Sequence, residues 1–147
     1  MKRTLTFAAL ALTVAAFAQH TDHVMGFSLE KTTHHFRLYK DGGAIEVTAN
    51  DAKDTESRDQ IQMHLGHIAG MFAKGDFQAP MLVHSKVPPG VPVLQKLKVE
   101  VTYAFTKTEG GGTVRITTKN PEALAAVHEF IRFQITDHKT GDPMNVL

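Results

Sequence analysis

Two stretches of the sequence, HHFRLYKDGGAIEVTAND at residues 34–51 and VTYAFTKTEGGGTVRITTKN at residues 101–120, follow one pattern. In each of them apolar and polar residues alternate, a glycine-rich turn follows, and the alternation then resumes. This arrangement is typical of a β-hairpin, because alternate residues of a strand face the same side of a sheet. When Gly42 is aligned with Gly111, the apolar positions of the two hairpins coincide, so the sequence contains an internal repeat.

A helical pattern follows each hairpin. Between Thr55 and Lys74, apolar residues recur at intervals of three or four, as they do on one face of a helix. The second pattern begins at Asn120, where an Asn-Pro-Glu run supplies a capping residue and a proline suited to the first turn, and its apolar stripe reaches Ile135. The order ββα-ββα predicts a two-layer α+β fold, in which a four-stranded antiparallel sheet carries both helices on one face.

The N-terminal sequence, MKRTLTFAALALTVAAFAQ, indicates a secretory signal peptide at residues 1–18. It has a basic start, an apolar stretch too short to span a bilayer and an A-x-A cleavage site. We therefore expect a periplasmic or secreted protein with a single α+β domain at residues 19–147. Within this domain we expect a flexible arm at residues 19–30, a connector at residues 77–98 and a loose tail from Thr140 onward.

The charge balance argues against nucleic-acid binding. The 16 Lys and Arg residues include Lys2 and Arg3 of the signal peptide, so the mature domain has 14 basic against 15 acidic residues. This balance, with no run of basic residues, offers no electrostatic attraction for nucleic acid or anionic lipid. The absence of cysteine excludes disulfides and thiolate metal sites. After signal cleavage, no apolar segment is long enough to predict a membrane span.

Histidines beside the apolar face of the first helix suggest a metal site. At helical spacing, His64, His67 and Met71 share one flanking stripe and can converge on one ion. Imidazole and thioether ligands favour copper, and zinc after it, over haem. Further ligands are expected from the first strand, the connector and the second helix: His34, His84 and His128. The first hypothesis is therefore an exported, non-catalytic binding protein for a transition metal.

Two aromatic residues of the second helix support an alternative hypothesis without metal. Phe130 and Phe133 lie away from the apolar stripe of that helix, so another part of the structure should cover them. The connector, a second copy of the chain in a homodimer or a bound ligand would each do so. The alternative is a module that binds a small apolar ligand or a protein partner through this Phe130/Phe133 surface, with His84 and His128 as polar groups of a pocket.

The run from Met25 to Asp142, which contains TTHHF, DGGAIEV, HLGHIAGMF and GDFQAPMLVH, resembles a family of small exported bacterial proteins. Some members of that family carry the name aspartate carbamoyltransferase. This sequence lacks the S-T-R-T and H-P-x-Q motifs by which transcarbamoylases resemble one another, so it does not support that activity. The resemblance implies export but no reaction. An enzyme that uses a His–carboxylate pair is the third of our hypotheses.

Overall fold

An antiparallel sheet of four strands forms one layer of the fold in the computed structural model, which describes residues 22–147. The strands are β1 (Thr32–Tyr39), β2 (Gly42–Ala49), β3 (Val101–Lys107) and β4 (Gly111–Thr118). They lie in the order β1-β2-β4-β3, so each hairpin pairs internally and the two hairpins meet along β2 and β4. The predicted signal peptide lies outside the described residues.

Helices form the second layer. In chain order they are α1 (Thr55–Ala73), α2 (Gln78–His84), α3 (Val91–Lys96), a 3-10 turn (Lys98–Glu100) and α4 (Pro121–Asp137). The two long helices share one face of the sheet, where α1 packs mainly on β3 and β4 and α4 packs mainly on β1 and β2. The predicted two-layer α+β fold is therefore confirmed. No helix among residues 22–147 has both the length and the apolar character that a membrane crossing requires.

Local sequence signals explain where the two long helices begin. The carboxylate of Asp54 caps α1 by accepting hydrogen bonds from the backbone N–H and the hydroxyl of Ser57, at 2.9 and 2.7 Å. The side chain of Asn120 caps α4 by accepting from the backbone N–H groups of the next turn, and Pro121 fills a first-turn position that needs no donor. These caps fix the point at which each hairpin gives way to a helix.

The two halves of the fold are related by an approximate twofold axis at the centre of the sheet. Ile45 of β2 lies directly opposite Val114 of β4, and these two residues are equivalent in the glycine alignment. Equivalent apolar side chains therefore meet at the axis, and the stripes of both helices pack above them in one core. The buried stripe residues are Ile61, Leu65, Ile68, Phe72, Val127, Ile131 and Ile135.

Two equivalent glycines allow β2 and β4 to approach closely. A methyl group at Gly42 would overlap the backbone carbonyl oxygen of Ile116, and a methyl group at Gly111 would overlap the carbonyl oxygen of Val47. Ile116 and Val47 are themselves equivalent in the repeat, so the same approach occurs on both sides of the axis. The pairing of the two hairpins thus depends on the absence of a side chain at these two positions.

Both ends of the domain pack against its body, in contrast to the arm and tail that the sequence predicted. In the arm, Phe27 is only 3% exposed and belongs to the core. In the tail, the Asp142 carboxylate accepts a hydrogen bond of 2.9 Å from the backbone N–H of Phe36, on the free edge of β1. The backbone N–H of Leu147 also donates to the carbonyl oxygen of Leu38. Residues 22–30 and the tail are therefore attached segments of the fold.

Replacing Gly111 by alanine should destabilise the protein by roughly 1–3 kcal/mol or more, because the new methyl group must push β4 away from β2. Gly70→Ala is the matched control, since a methyl group at Gly70 in α1 meets no atom within 4 Å. That change should stabilise the protein by roughly 0.5–1 kcal/mol, because alanine is the better helix former. Urea denaturation measures both effects, and equal stabilities of the two variants would contradict the close strand approach.

Candidate functional site

A pocket lies over the β1–β2 half of the sheet, enclosed by α1, α2 and α4. It encloses about 500 Å³ of empty space, including its open mouth. Most of its wall is apolar, with contributions from β1, β2 and the three helices that enclose it, and the larger apolar members are Met25, Phe36, Ile45, Leu65, Ile68, Phe72 and Phe130. The helix α2 supplies four wall residues although it belongs to the connector and not to the repeat: Ala79, Pro80, Val83 and His84.

The interior of this pocket suits a small molecule. The interior has a volume of ≈ 60 Å³, which is room for a few water molecules at roughly 10–15 Å³ each. A cavity of about 150 Å³ holds benzene, so a ring-sized ligand would extend from this interior into the open mouth.

Four imidazole side chains gather in the wall of the pocket: His34, His64, His84 and His138. The ring centroid of His138 lies 5.6 Å from that of His34 and 5.0 Å from that of His84. The ring of Phe27 contacts both His34 and His64, with centroid distances of 5.7 and 5.4 Å. The alternation of β1 turns His34 to the same face as Phe36, whereas His138 follows the last turn of α4.

Burial keeps three of these imidazoles uncharged. Desolvation, with a smaller contribution from repulsion by neighbouring imidazoles, lowers the pKa of His34, His64 and His138 to about 4. An ordinary histidine has a pKa near 6.5. These three rings are therefore neutral at physiological pH, and their surroundings disfavour a positive charge.

His84 is held by hydrogen bonds at both ring nitrogens. Its Nδ1 lies 2.5 Å from Oδ2 of Asp137, and its Nε2 lies 3.0 Å from Oε1 of Gln134. The side chain of His84 is 2% exposed, whereas that of Asp137 is 43% exposed, so the carboxylate reaches the surface. Asp137 and Gln134 together fix the orientation of the His84 ring.

Two buried nitrogen atoms in the wall have no hydrogen-bond partner among residues 22–147, namely Nε2 of His34 and Nε2 of Gln134. Gln134 is only 4% exposed, and its amide oxygen is already bonded to His84. Unpartnered buried polar atoms are rare in native structures because each one loses its bonds to water without compensation. Their presence in the wall of one pocket indicates a place for a polar ligand atom.

Three of the six histidines and methionines predicted as metal ligands reach the pocket, and three do not. His34, His64 and His84 line it. The other three are absent from the described wall. His67 is exposed and Met71 is half-buried on α1, while His128 donates from Nε2 to the backbone carbonyl oxygen of Tyr39, at 2.9 Å.

The sequence did not assign two important wall residues, Gln134 and His138, to any site. The signal for them was a polar residue at a buried position of the α4 stripe, followed one turn later by a histidine. Neither residue forms a recognisable motif. Within residues 22–147, no group of three or more histidine, aspartate or glutamate side chains is arranged to hold one metal ion.

The connector covers the aromatic surface that the sequence predicted on α4. Phe130 is 1% exposed, and its ring packs against Phe72 and Phe77, with centroid distances of 6.0 and 5.9 Å. Phe133 is half-buried beside His84, with the Lys86 ammonium 4.8 Å from its ring centroid. Phe130 therefore belongs to the inner wall of the pocket, and the pair does not form an open protein-binding surface.

Comparisons of the chain with protein-family models, with curated proteins and with solved structures find no match. The chemistry of the site therefore has to be inferred from its own geometry. That geometry combines an apolar wall, uncharged imidazoles and two buried polar atoms that lack partners.

The stability of the protein should decrease as the pH falls from about 6.5 to about 4. In this range the histidines of the unfolded chain, with pKa values near 6.5, bind protons. His34, His64 and His138 in the folded protein stay neutral because burial lowers their pKa to about 4. The unfolded state then binds more protons than the folded state, so the free energy of unfolding decreases as the pH decreases. Urea denaturation at several pH values measures this slope.

A pair of variants on α1 tests this explanation. His64→Leu should reduce the slope, because one of the three buried groups is removed. His67→Gln should leave the slope unchanged, because His67 is exposed on the same helix. The same slope in both variants would contradict a lowered pKa for His64.

Proposed function

We propose that this protein is an exported, non-catalytic binding protein that takes a small, mostly apolar molecule into the pocket between α1, α2 and α4. The observation that carries this proposal is the composition of the pocket wall. Its surface is apolar except for four imidazoles and one amide, and the two unpartnered nitrogens belong to that polar minority. Pockets of this kind bind small molecules through apolar contact and use a few polar groups for orientation.

The energetics of the wall favour an apolar occupant. Transfer of apolar surface out of water gains roughly 25 cal/mol per Å², and the wall offers aromatic faces from Phe36, Phe72 and Phe130 for that contact. The low pKa of His34, His64 and His138 keeps these rings neutral, so no buried cation has to be desolvated further when a ligand enters.

Two further observations support the proposal, one for its non-catalytic role and one for export from the cytoplasm. Both nitrogens of His84 are hydrogen-bonded within the protein, to Asp137 and Gln134, which supports an orienting role for this pair over proton transfer. The sequence of residues 1–18 has the features of a signal peptide, which supports export to the periplasm or the medium.

Filling the pocket should weaken the binding of small aromatic probes. Ala79 of α2 lines the pocket, so Ala79→Leu should weaken the binding of toluene and phenol by roughly tenfold or more, since the larger side chain occupies their space. Ala125→Leu adds the same atoms at an exposed position of α4 and should change nothing. Titrations of the mature protein followed by NMR measure the affinities. Failure of the wild-type protein to bind any of several small aromatic compounds would contradict the proposal.

A second candidate function is transition-metal binding, with copper or zinc as the ion. The gathering of His34, His64, His84 and His138 in one wall favours it, because neutral imidazole is the form that binds metal. This set differs from the helix stripe of His64, His67 and Met71, and a metal would require side-chain rotations to reach all its members.

Calorimetry of the untagged mature protein with Cu²⁺ and Zn²⁺ tests the metal candidate. For a site in the pocket, the double variant His64→Gln/His138→Gln should lose tight binding, whereas His67→Gln and Met71→Leu should keep it. Binding should persist to about pH 5, because the pKa of the buried imidazoles is about 4. Wild-type binding no tighter than micromolar for both ions would eliminate this candidate.

A further inference from the structure

The two unpartnered nitrogens belong to side chains at the two ends of one row of polar groups in the pocket wall. The amide of Gln134 contacts Nε2 of His84, and the ring centroid of His84 lies 5.0 Å from that of His138. The ring of His138 is nearly parallel to that of His34, with 8° between the planes and 5.6 Å between the centroids. Nε2 of Gln134 and Nε2 of His34 therefore belong to one polar corner of an otherwise apolar wall.

The chemistry of these two atoms restricts the polar group that can join them. The amide of Gln134 can present either end to the pocket: Nε2, a donor, is free when Oε1 faces His84, and Oε1, an acceptor, is free when the amide is turned end for end. A neutral imidazole has one N–H and one lone pair, so Nε2 of His34 is a donor in one tautomer and an acceptor in the other. A hydroxyl group donates one hydrogen bond and accepts others. It can therefore satisfy both atoms whichever tautomer His34 adopts, whereas a carbonyl or ether oxygen can only accept.

The charges around the corner restrict the ligand further. The described wall of the pocket contains no lysine, arginine, aspartate or glutamate. The carboxylate nearest in the hydrogen-bond network is Asp137, which contacts His84 and would repel an anion. A buried anion would thus lack a counter-charge, and the desolvation that keeps the imidazoles neutral also disfavours a cation. An uncharged ligand fits these surroundings best.

The remaining wall suits an aromatic ring. Phe36, Phe72 and Phe130 line the space, and an interior of ≈ 60 Å³ that opens into a mouth admits no more than one small ring. A six-membered aromatic ring with one hydroxyl combines this size with the required neutral donor and acceptor.

We propose that the pocket binds a small neutral compound of the phenol class, with its hydroxyl group bonded to Gln134 and His34 and its ring against the phenylalanines. This inference rests on the proposed ligand-binding function and names the chemical class of the ligand. The hydroxyl supplies the partners that the two buried nitrogens lack, which links the polar corner and the aromatic wall in one explanation.

Phenol and toluene are matched probes, because they have the same ring and differ by a hydroxyl in place of a methyl group. In calorimetric or NMR titrations of the mature protein at pH 7, phenol should bind roughly tenfold or more tightly than toluene, as expected for paired buried hydrogen bonds. Gln134→Leu and His34→Phe should each reduce this preference to a few-fold without loss of toluene binding. His67→Phe, at an exposed position, should preserve the preference.

A measurement on the wild-type protein keeps the proposal testable if a variant fails to fold. Phenol, but not toluene, should shift the side-chain amide resonances of Gln134 and the imidazole nitrogen resonances of His34. Equal affinities for phenol and toluene would overturn the hydroxyl inference and leave the apolar-ligand function intact. Tighter binding of benzoate than of phenol would overturn the requirement for a neutral ligand. Binding of none of these probes would overturn both the inference and the function.

Discussion

The close backbone approach of β2 and β4 is the constraint on which the rest of the structure depends. Gly42 and Gly111 lie against the carbonyl oxygens of Ile116 and Val47, where any side chain would overlap the opposite strand. This approach sets the register that places Ile45 opposite Val114. Because a slip of one residue would turn every side chain to the other face, the register also determines which residues face the helices.

The two halves use one architecture but fill it differently. His34 of β1 and Tyr103 of β3 occupy equivalent positions of the repeat, and each has a buried polar atom without a partner among residues 22–147. Around Tyr103 the space is filled, since its ring packs at right angles to those of Phe72 and Phe77, and burial raises the pKa of its hydroxyl. Around His34 the space stays open as the pocket. The connector thus closes one half with Phe77 and lines the other with α2.

The polar corner of the pocket is a local departure from the rules that the rest of the fold obeys. Elsewhere the helix caps and tail contacts satisfy their polar groups, as with Asp142 at the edge of β1, and among residues 22–147 only Tyr103 shares the unpartnered state outside the pocket. In the pocket, three histidines stay neutral at a pKa of about 4, and Gln134 retains an unpartnered amide nitrogen. Such departures reduce stability and are expected at functional sites, where a ligand restores the missing bonds.

The sequence by itself determined the elements and their order, because the signals for them are local. Alternation, paired glycines and capping residues act over a few neighbours, so the hairpins, both long helices and the four-stranded antiparallel sheet were predictable. Only the tertiary structure decided which side chains meet. His34 and His138 come from opposite ends of the domain and stack because β1 and α4 pack together, while His67 faces solvent one turn from His64. The same holds for Phe27 and Asp142, whose burial depends on contacts with β1 and the core that no spacing along the chain reveals.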